Sequence, residues 1–339
     1  MKKLNKLFAI LFTILFAVLG VGTLSAQTWT DVTSTYIKNP TLIEEYYSKS
    51  DNAAWPVYTT GRTGNTQHPK NWILHTNGTT NHNIGGAFFE CWTANQGVKR
   101  WTLFQDVTLP AGKYRLTGRY STNENRGIIK TVAITPHHSY YSPGITTGNW
   151  GSWGIETAEF TIYEETQVRV GMISTNFAQC NGFTLTTTGA KQLLADEIAA
   201  APEDLTEAVA TAQGVYDDSN SDETAYRNAA KSLNDAIVAY NIENASESTP
   251  VDMTDRIANP SFEGIGGTTA YTGAKHNCSE WTYTANTDAG ARSVTGSDYL
   301  NTDDSNDAFY CFNTWGGNAF NVSQIPEGKV YVRAFEYGL

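Results

Sequence analysis

The chain has 339 residues, which at ~150 per domain points to two or three domains and not one core. With 34 acidic against 23 basic side chains its net charge is −11 and no Lys/Arg cluster offsets it, which excludes a nucleic-acid backbone as a partner. Only 17 % of residues are charged while Gly (29), Tyr (18) and Trp (9) are plentiful, as in extracellular β-proteins that meet neutral polar ligands such as sugars.

At the N-terminus Lys2, Lys3 and Lys6 precede an apolar run from Leu7 to Val21 and then small residues to Ala26. This is the pattern of a signal peptide over residues 1–26, and the run is shorter than the ~20 residues of a spanning helix. The expectation is a secreted or cell-surface protein with no membrane span after cleavage. Export permits oxidation, so Cys91–Cys180 and Cys278–Cys311 are the favoured disulfide pairs, with four buried thiols as the alternative.

Residues 27–189 read as one β-sandwich. The block Asp31-Val-Thr-Ser-Thr-Tyr-Ile-Lys-Asn-Pro40 ends in an Asn-Pro turn, where the proline holds Asn39 out of the helical region. Strands are predicted at about Trp72 to His75, Gly86 to Trp92, Ile129 to Ile134, Ala158 to Tyr163, Gln167 to Ser174 and Gly182 to Thr187. A Pro-x-Gly-Lys turn at Pro110 leads into a further strand on which Tyr114, Leu116, Gly118 and Tyr120 share a core face. Such spacing, with no crossover helices, predicts an antiparallel jelly roll.

Over residues 190–246 the period changes from two to about 3.6. A first helix is predicted at about Ala190 to Ala200. A second carries the stripe Leu205, Ala208, Val209, Ala212 and Tyr216, and a third carries Tyr226, Ala229, Ala230, Leu233, Ile237 and Tyr240. Pro202 stands near the start of the second, and Ser221-Asp-Glu suits the cap and first turn of the third.

Residues 247–339 repeat the first module. Asp252-Met-Thr-Asp-Arg-Ile-Ala-Asn-Pro260 matches the opening block with one residue fewer. Ala308-Phe-Tyr-Cys311 matches Ala87-Phe-Phe-Glu90, and Phe320-Asn-Val-Ser-Gln-Ile-Pro-Glu-Gly-Lys329 matches Phe104-Gln-Asp-Val-Thr-Leu-Pro-Ala-Gly-Lys113. Copy two stops shortly after Pro326, whereas copy one runs on from Pro110 to Thr188, so the second sandwich is expected to be truncated. Trp72 and Trp281 recur between the copies and are assigned to the cores.

These blocks, with the central Trp and a closing Asn-Gly-Phe-x-Leu, resemble the galactose-binding-like jelly rolls of carbohydrate-binding-module type. Such domains recur in tandem on secreted bacterial polysaccharide-handling and adhesion proteins. The likeness covers about Gln27 to Thr188 and part of Val251 to Leu339, and its matching residues are turns and core positions, informative for fold more than for ligand. The helical segment resembles the small FIVAR-type repeat used as a spacer. Structural calcium is frequent in jelly rolls of this kind. The run Asn301-x-Asp-Asp-Ser-Asn-Asp307 offers oxygen ligands for it, although a solvated turn is the preferred reading and no other cofactor is expected.

No HExxH, GxSxG, Walker loop or dinucleotide fingerprint is present, which weakens an enzymatic reading. Glu90, Glu124, Glu156 and Glu159 would serve a glycoside hydrolase only if two of them faced one groove. The adjacent His137 and His138 read as a polar loop. The candidate ligand residues are aromatic. Tyr140, Tyr141, Trp150 and Trp153 lie in a long Gly-rich segment from Pro136 to Gly154, and Trp92 with Trp101 flanks a second turn. The expected function is non-catalytic glycan binding or adhesion. The alternatives are a structural stalk that presents another domain without a ligand of its own and, less favoured, a glycoside hydrolase.

Overall fold

The structure, a computed structural model, describes residues 27–48, 57–58, 67–76, 80–93, 101–122, 128–149, 151–174, 177–257, 281–283, 290–293, 310–313 and 319–321. The expected leader lies outside them. In chain order the first module contains β1 (Thr30–Asp31), α1 (Thr33–Tyr36), β2 (Tyr46–Ser48), β3 (Val57–Tyr58), β4 (Gln67–Pro69), β5 (Ile73–Thr76), β6 (Thr80–Ile84) and β7 (Phe89–Thr93). It continues with β8 (Trp101–Leu109), β9 (Gly112–Thr122), β10 (Ile129–Ile134), β11 (Ser139–Tyr141), β12 (Gly154–Ile162), β13 (Thr166–Ser174) and β14 (Ala178–Thr187).

The fold is mainly β, as expected. One six-stranded sheet has the order β12-β9-β14-β7-β6 with β1 added on β14, and a second has the order β11-β10-β13-β8-β5-β3. Their pairings are antiparallel apart from the two-residue β3–β5 contact, which is parallel. The alternation on β9 sends Tyr114, Leu116, Gly118 and Tyr120 inward, and Trp72, Trp101, Phe89, Leu103 and Met172 fill the same core. Each such side chain contributes roughly 1.5–3 kcal/mol on burial. Tyr120 has no exposed surface, and its hydroxyl meets Thr131 Oγ1 at 2.8 Å, which ties the first sheet to the second and satisfies a polar group that would otherwise be stranded. Burial holds that phenol well above its ordinary range.

The opening turn is anchored by side-chain amides. Asn39 Nδ2 donates to Glu45 O (2.7 Å) and Lys70 O (3.1 Å), Trp72 Nε1 donates to Asn39 O (3.0 Å), and Gln105 bonds both backbone groups of Lys38. Asn39 adopts φ +50°, so it leaves the right-handed helical region by entering the left-handed one, which Asn tolerates. Pro40 O then accepts from Phe183 N at a bulge in β14, where Gly182 (φ +112°) gives the room that a Cβ would take from Pro40. The segment from Pro136 is less of a free loop than expected. Residues 139–141 form β11 at the edge of the second sheet, a strand too short to register as a period in the sequence.

Three helices follow: α2 (Ala190–Ala200), α3 (Thr206–Asp217) and α4 (Glu223–Glu243). Asp222 caps α4 by accepting from Ala225 N at 2.8 Å. Ala212, Tyr226, Ala230 and Leu233 are buried together with Leu193 and Leu194 of α2, and Ala208, Val209, Tyr216, Ala229 and Ile237 pack around them. Tyr240 instead donates to Asp204 at 2.8 Å. The helices are fastened to the sandwich. Lys113 Nζ pairs with Asp196 (2.9 Å), Tyr163 OH donates to Glu197 (2.6 Å), Arg227 Nε donates to Ala111 O (3.0 Å), and the Tyr163 ring joins the helical cluster.

Beyond them lie a 3₁₀ turn (Thr254–Arg256), β15 (Trp281–Tyr283), β16 (Gly290–Ser293), β17 (Tyr310–Asn313) and β18 (Ala319–Asn321). Their registers match those of the first module. Thr282 faces Phe320 as Ile73 faces Phe104, and Arg292 faces Cys311 as Asn83 faces Glu90. Thr33 N donates to Asp31 Oδ1 at 2.8 Å, and Thr254 N to Asp252 Oδ1 at 2.9 Å. Next, Ile37 N closes on Thr33 O four residues back, whereas Ile257 N closes on Thr254 O three residues back. The missing residue of the second block is therefore absorbed by tightening an α turn to a 3₁₀ turn.

Two predictions follow from this packing. A Cβ at Gly171 would collide with the Leu103 carbonyl on the neighbouring strand, so Gly171→Ala is expected to cost about 1–3 kcal/mol; an unchanged thermal midpoint would contradict that packing. Glu197 is raised above its ordinary value of 4.5, chiefly by burial, with the Tyr163 hydrogen bond opposing. The folded chain thus holds this proton more tightly than the unfolded one, and the associated stability is full at low pH and lost as pH rises through the raised value. Wild-type stability relative to Glu197→Gln should accordingly fall as pH rises above ~4 in denaturant titrations; parallel profiles would refute a desolvated Glu197.

Candidate functional site

The face of the first sheet turned away from the core is set by the opposite phase of β9: Lys113, Arg115, Thr117, Arg119 and Ser121. On β12 their partners are Glu159 opposite Arg115, Thr157 opposite Thr117 and Ile155 opposite Arg119. On β14, Thr184 and Thr186 lie beside Thr117 and Arg115, and Gln179 beside Ser121; Glu90 of β7 follows Gln179. The Thr117 and Thr157 hydroxyls bond at 2.9 Å, and Gln179 Nε2 donates to Glu90 at 3.4 Å.

Two tryptophans border this face, each under an arginine. The Arg115 guanidinium lies 4.0 Å from the ring centre of Trp29 and is paired with Glu159 at 2.6 Å. That of Arg119 lies 5.2 Å from the ring of Trp153, which also meets Phe88 at 5.8 Å. Both rings are half-buried, while the neighbouring Ile155 is 64 % exposed. Four residues separate the arginines on one strand, so the aromatic ends stand roughly 14 Å apart with threonine hydroxyls between them. The segment before Trp153 is pinned across the sheet end, Gly151 N donating to Ser121 Oγ (3.1 Å) and Thr147 N to Thr122 Oγ1 (2.9 Å). Aromatic faces for C–H surfaces, with hydroxyls and amides alongside, are the groups that sugar recognition requires.

The expected aromatic group is divided by the fold. Trp153 is on this face, and Trp150 lies outside the described residues. Tyr140 is a correction, because it packs against the core with its ring 5.8 Å from Phe160 and 4.5 Å from His138. Tyr141 is half-buried opposite Val132 on the second sheet, so it does not share a face with Trp153. Trp101 is the second correction: it has no exposed surface, stands edge-on to Phe89 at 6.1 Å and offers no platform to a ligand. Trp92 is placed on β7 opposite Asn81. Sequence reasoning missed Trp29, Phe88, Arg115 and Arg119, although the arginines occupy the outward phase of the strand whose inward phase it assigned.

The carboxylates do not converge. Glu90 and Glu159 share the face but stand three strands apart across it and six residues apart along it, roughly 25 Å, beyond the ~9.5 Å limit for a hydrolytic pair. Glu156 has the inward register and accepts from Gly144 N at 2.8 Å, and Glu124 is outside the described residues. Among the described residues no three His, Cys, Asp or Glu side chains are grouped to hold a metal ion, and the Asn301 to Asp307 run lies outside them. No described helix is long and apolar enough to cross a membrane.

The expected Cys91–Cys180 bridge is also corrected, since both residues are buried thiols. Cys91 faces Ala178 and Cys180 faces Phe89, which makes the two a diagonal pair. Such pairs are roughly 7–8 Å apart, outside the 4.4–6.8 Å Cα window of a disulfide. Cys278 is outside the described residues, and Cys311 lies on β17 opposite Arg292.

No family model matches the chain, and no curated protein matches it. Among solved structures the chain is similar to TmCBM61 in complex with beta-1,4-galactotriose, at 16 % identity and TM-score 0.25, over 34 % of this chain and 88 % of that one. The CBM22-1 xylan-binding domain from Paenibacillus barcinonensis Xyn10C is similar at 9 % identity and TM-score 0.27, over 37 % and 89 %. The enzymatically active domain of bacteriophage CBA120 tailspike protein 4 is similar at 10 % and 0.27, over 35 % of this chain and 19 % of that one.

Burial pushes the Cys180 thiol up to about 12, so almost no thiolate exists at neutral pH. Native protein treated with iodoacetamide at pH 8 should leave the Cys180 peptide unmodified by mass spectrometry and label it only after denaturation; native labelling would refute its burial.

Proposed function

We propose that this chain is a secreted or cell-surface glycan-binding protein that acts without catalysis, with the outer face of the first sheet as its ligand surface. The observation that carries the reading is the pairing of Trp153 and Trp29 at the two ends of one hydroxyl-lined strand row. An extended oligosaccharide of about three pyranose rings suits such a length, each end ring stacking on an indole while the threonines receive its hydroxyls. The separation of Glu90 from Glu159 supports binding over hydrolysis. In this reading residues 27–189 form the binding module, 190–246 a helical spacer and 247–339 a second copy of the module, an assignment supported by the shared strand registers. The amino-terminal 26 residues serve as the export signal.

A structural stalk is the second reading, and the docking of the helices through Tyr163, Lys113 and Arg227 favours it, since a stalk must transmit orientation. One measurement separates the two. The purified chain, Trp153→Ala and Trp29→Ala are applied to a glycan array and ranked by titration calorimetry on any positive. Glycan binding predicts a hit weakened about ten-fold or more by each substitution. Absence of any hit would leave the stalk, and undiminished binding by both variants would move the site off this face.

A further inference from the structure

We infer that the outer-face site selects a glycan bearing a carboxylate, a uronic acid residue, and that Arg119 is the group that reads it. The inference rests on the glycan-binding reading above and adds the class of sugar. It comes from comparing three arginines on the sheets. Arg115 faces Glu159 across the ladder and pairs with it at 2.6 Å, and Arg169 faces Asp106 and pairs at 2.8 Å. Arg119 occupies an equivalent outward position but faces Ile155 on one side and the Asn181–Gly182 bulge of β14 on the other. Among the described residues its guanidinium meets no carboxylate; its contact is the Trp153 ring.

In a chain with eleven more acidic than basic side chains, cross-strand acids are easily supplied, and two of the three positions have them. The third places an exposed isoleucine there. Stacking on the indole holds the planar fork of Arg119 in a defined attitude with its N–H edge left for an acceptor, the geometry in which arginine takes a carboxylate in bidentate fashion. A pyranose seated beside Trp153 would bring its C6 substituent next to that edge. A neutral sugar has a hydroxymethyl group at C6, whereas a uronic acid presents two oxygens that match the fork. Arg115, neutralised by Glu159, exerts no such preference at the Trp29 end.

The test uses the whole purified chain with an oligogalacturonate, the fully methyl-esterified form of the same oligosaccharide, the corresponding neutral galacto-oligosaccharide and a sulfated one, measured by calorimetry at low ionic strength. The free acid should bind about five-fold or more tightly than its ester, and Arg119→Gln should erase that ratio whatever it does to the affinity for the ester alone. Raising the salt should narrow the gap in the wild type and leave the variant unaffected. Equal affinity of wild type for acid and ester, a preference that survives Arg119→Gln, or tighter binding of the sulfated sugar would each overturn the assignment. Binding of acid, ester and neutral sugar without discrimination would refute only the role of Arg119; failure of every glycan would refute the binding site itself.

Discussion

Strand β9 must bury one of its faces and expose the other, and the rest of the sandwich follows from that constraint. It is held on both sides, by β12 and by β14, so its register cannot drift, and a slip of one residue would exchange the two faces. Burying Tyr114, Leu116 and Tyr120 contributes roughly 1.5–3 kcal/mol each, whereas an exposed arginine–aromatic pair contributes about 0.5–1 kcal/mol. The core therefore decides the register, and the outward row of Lys113, Arg115, Thr117 and Arg119 is delivered to the surface as a consequence. An outer face made this way is rigid, because its side chains stand on a paired strand and not on a connection.

The same outward row joins the sandwich to the helices. Lys113 reaches Asp196 of α2, close to where Tyr163 donates to Glu197. Burial raises both partners of that second bond, so the phenol remains a donor at all ordinary pH values while the carboxyl gives up its proton late. Asp31 and Asp252 act with the opposite sign. Hydrogen bonds from Thr33 and Thr254 hold their carboxyls below the usual range, and the stability they confer is present above that range and lost on acidification. Turn and helix contacts thus respond to pH in opposite directions within one chain.

The two opening turns differ by one residue and close in the same way. An Asp side chain caps the turn in each, and the backbone before and after it has nearly the same dihedral angles. The difference is taken up inside the turn, where the closing hydrogen bond spans three residues in place of four. A one-residue shift within β5 or β8 would instead move the outward residues of that strand to the core side.

Much was legible in the residues alone. The alternation at Tyr114 to Tyr120, the 3.6 period after Ala190 and the Asp222 cap all depend on neighbours in sequence, and each emerged at the expected place with small shifts at the ends. The candidate site was less legible. Tyr140, Trp101 and Trp153 carry the same chemistry and similar glycine-rich surroundings, yet one lines the core, one is its centre and one borders the outer face. Local sequence therefore determined which segments became strands and helices and which face of β9 turned inward, because those depend on periodicity within one element. Tertiary structure alone decided which aromatics remained accessible, which arginine found an acid across the ladder and which cysteines stayed apart, because these depend on registers between strands up to 157 residues distant in the chain, as Thr30 is from Thr187.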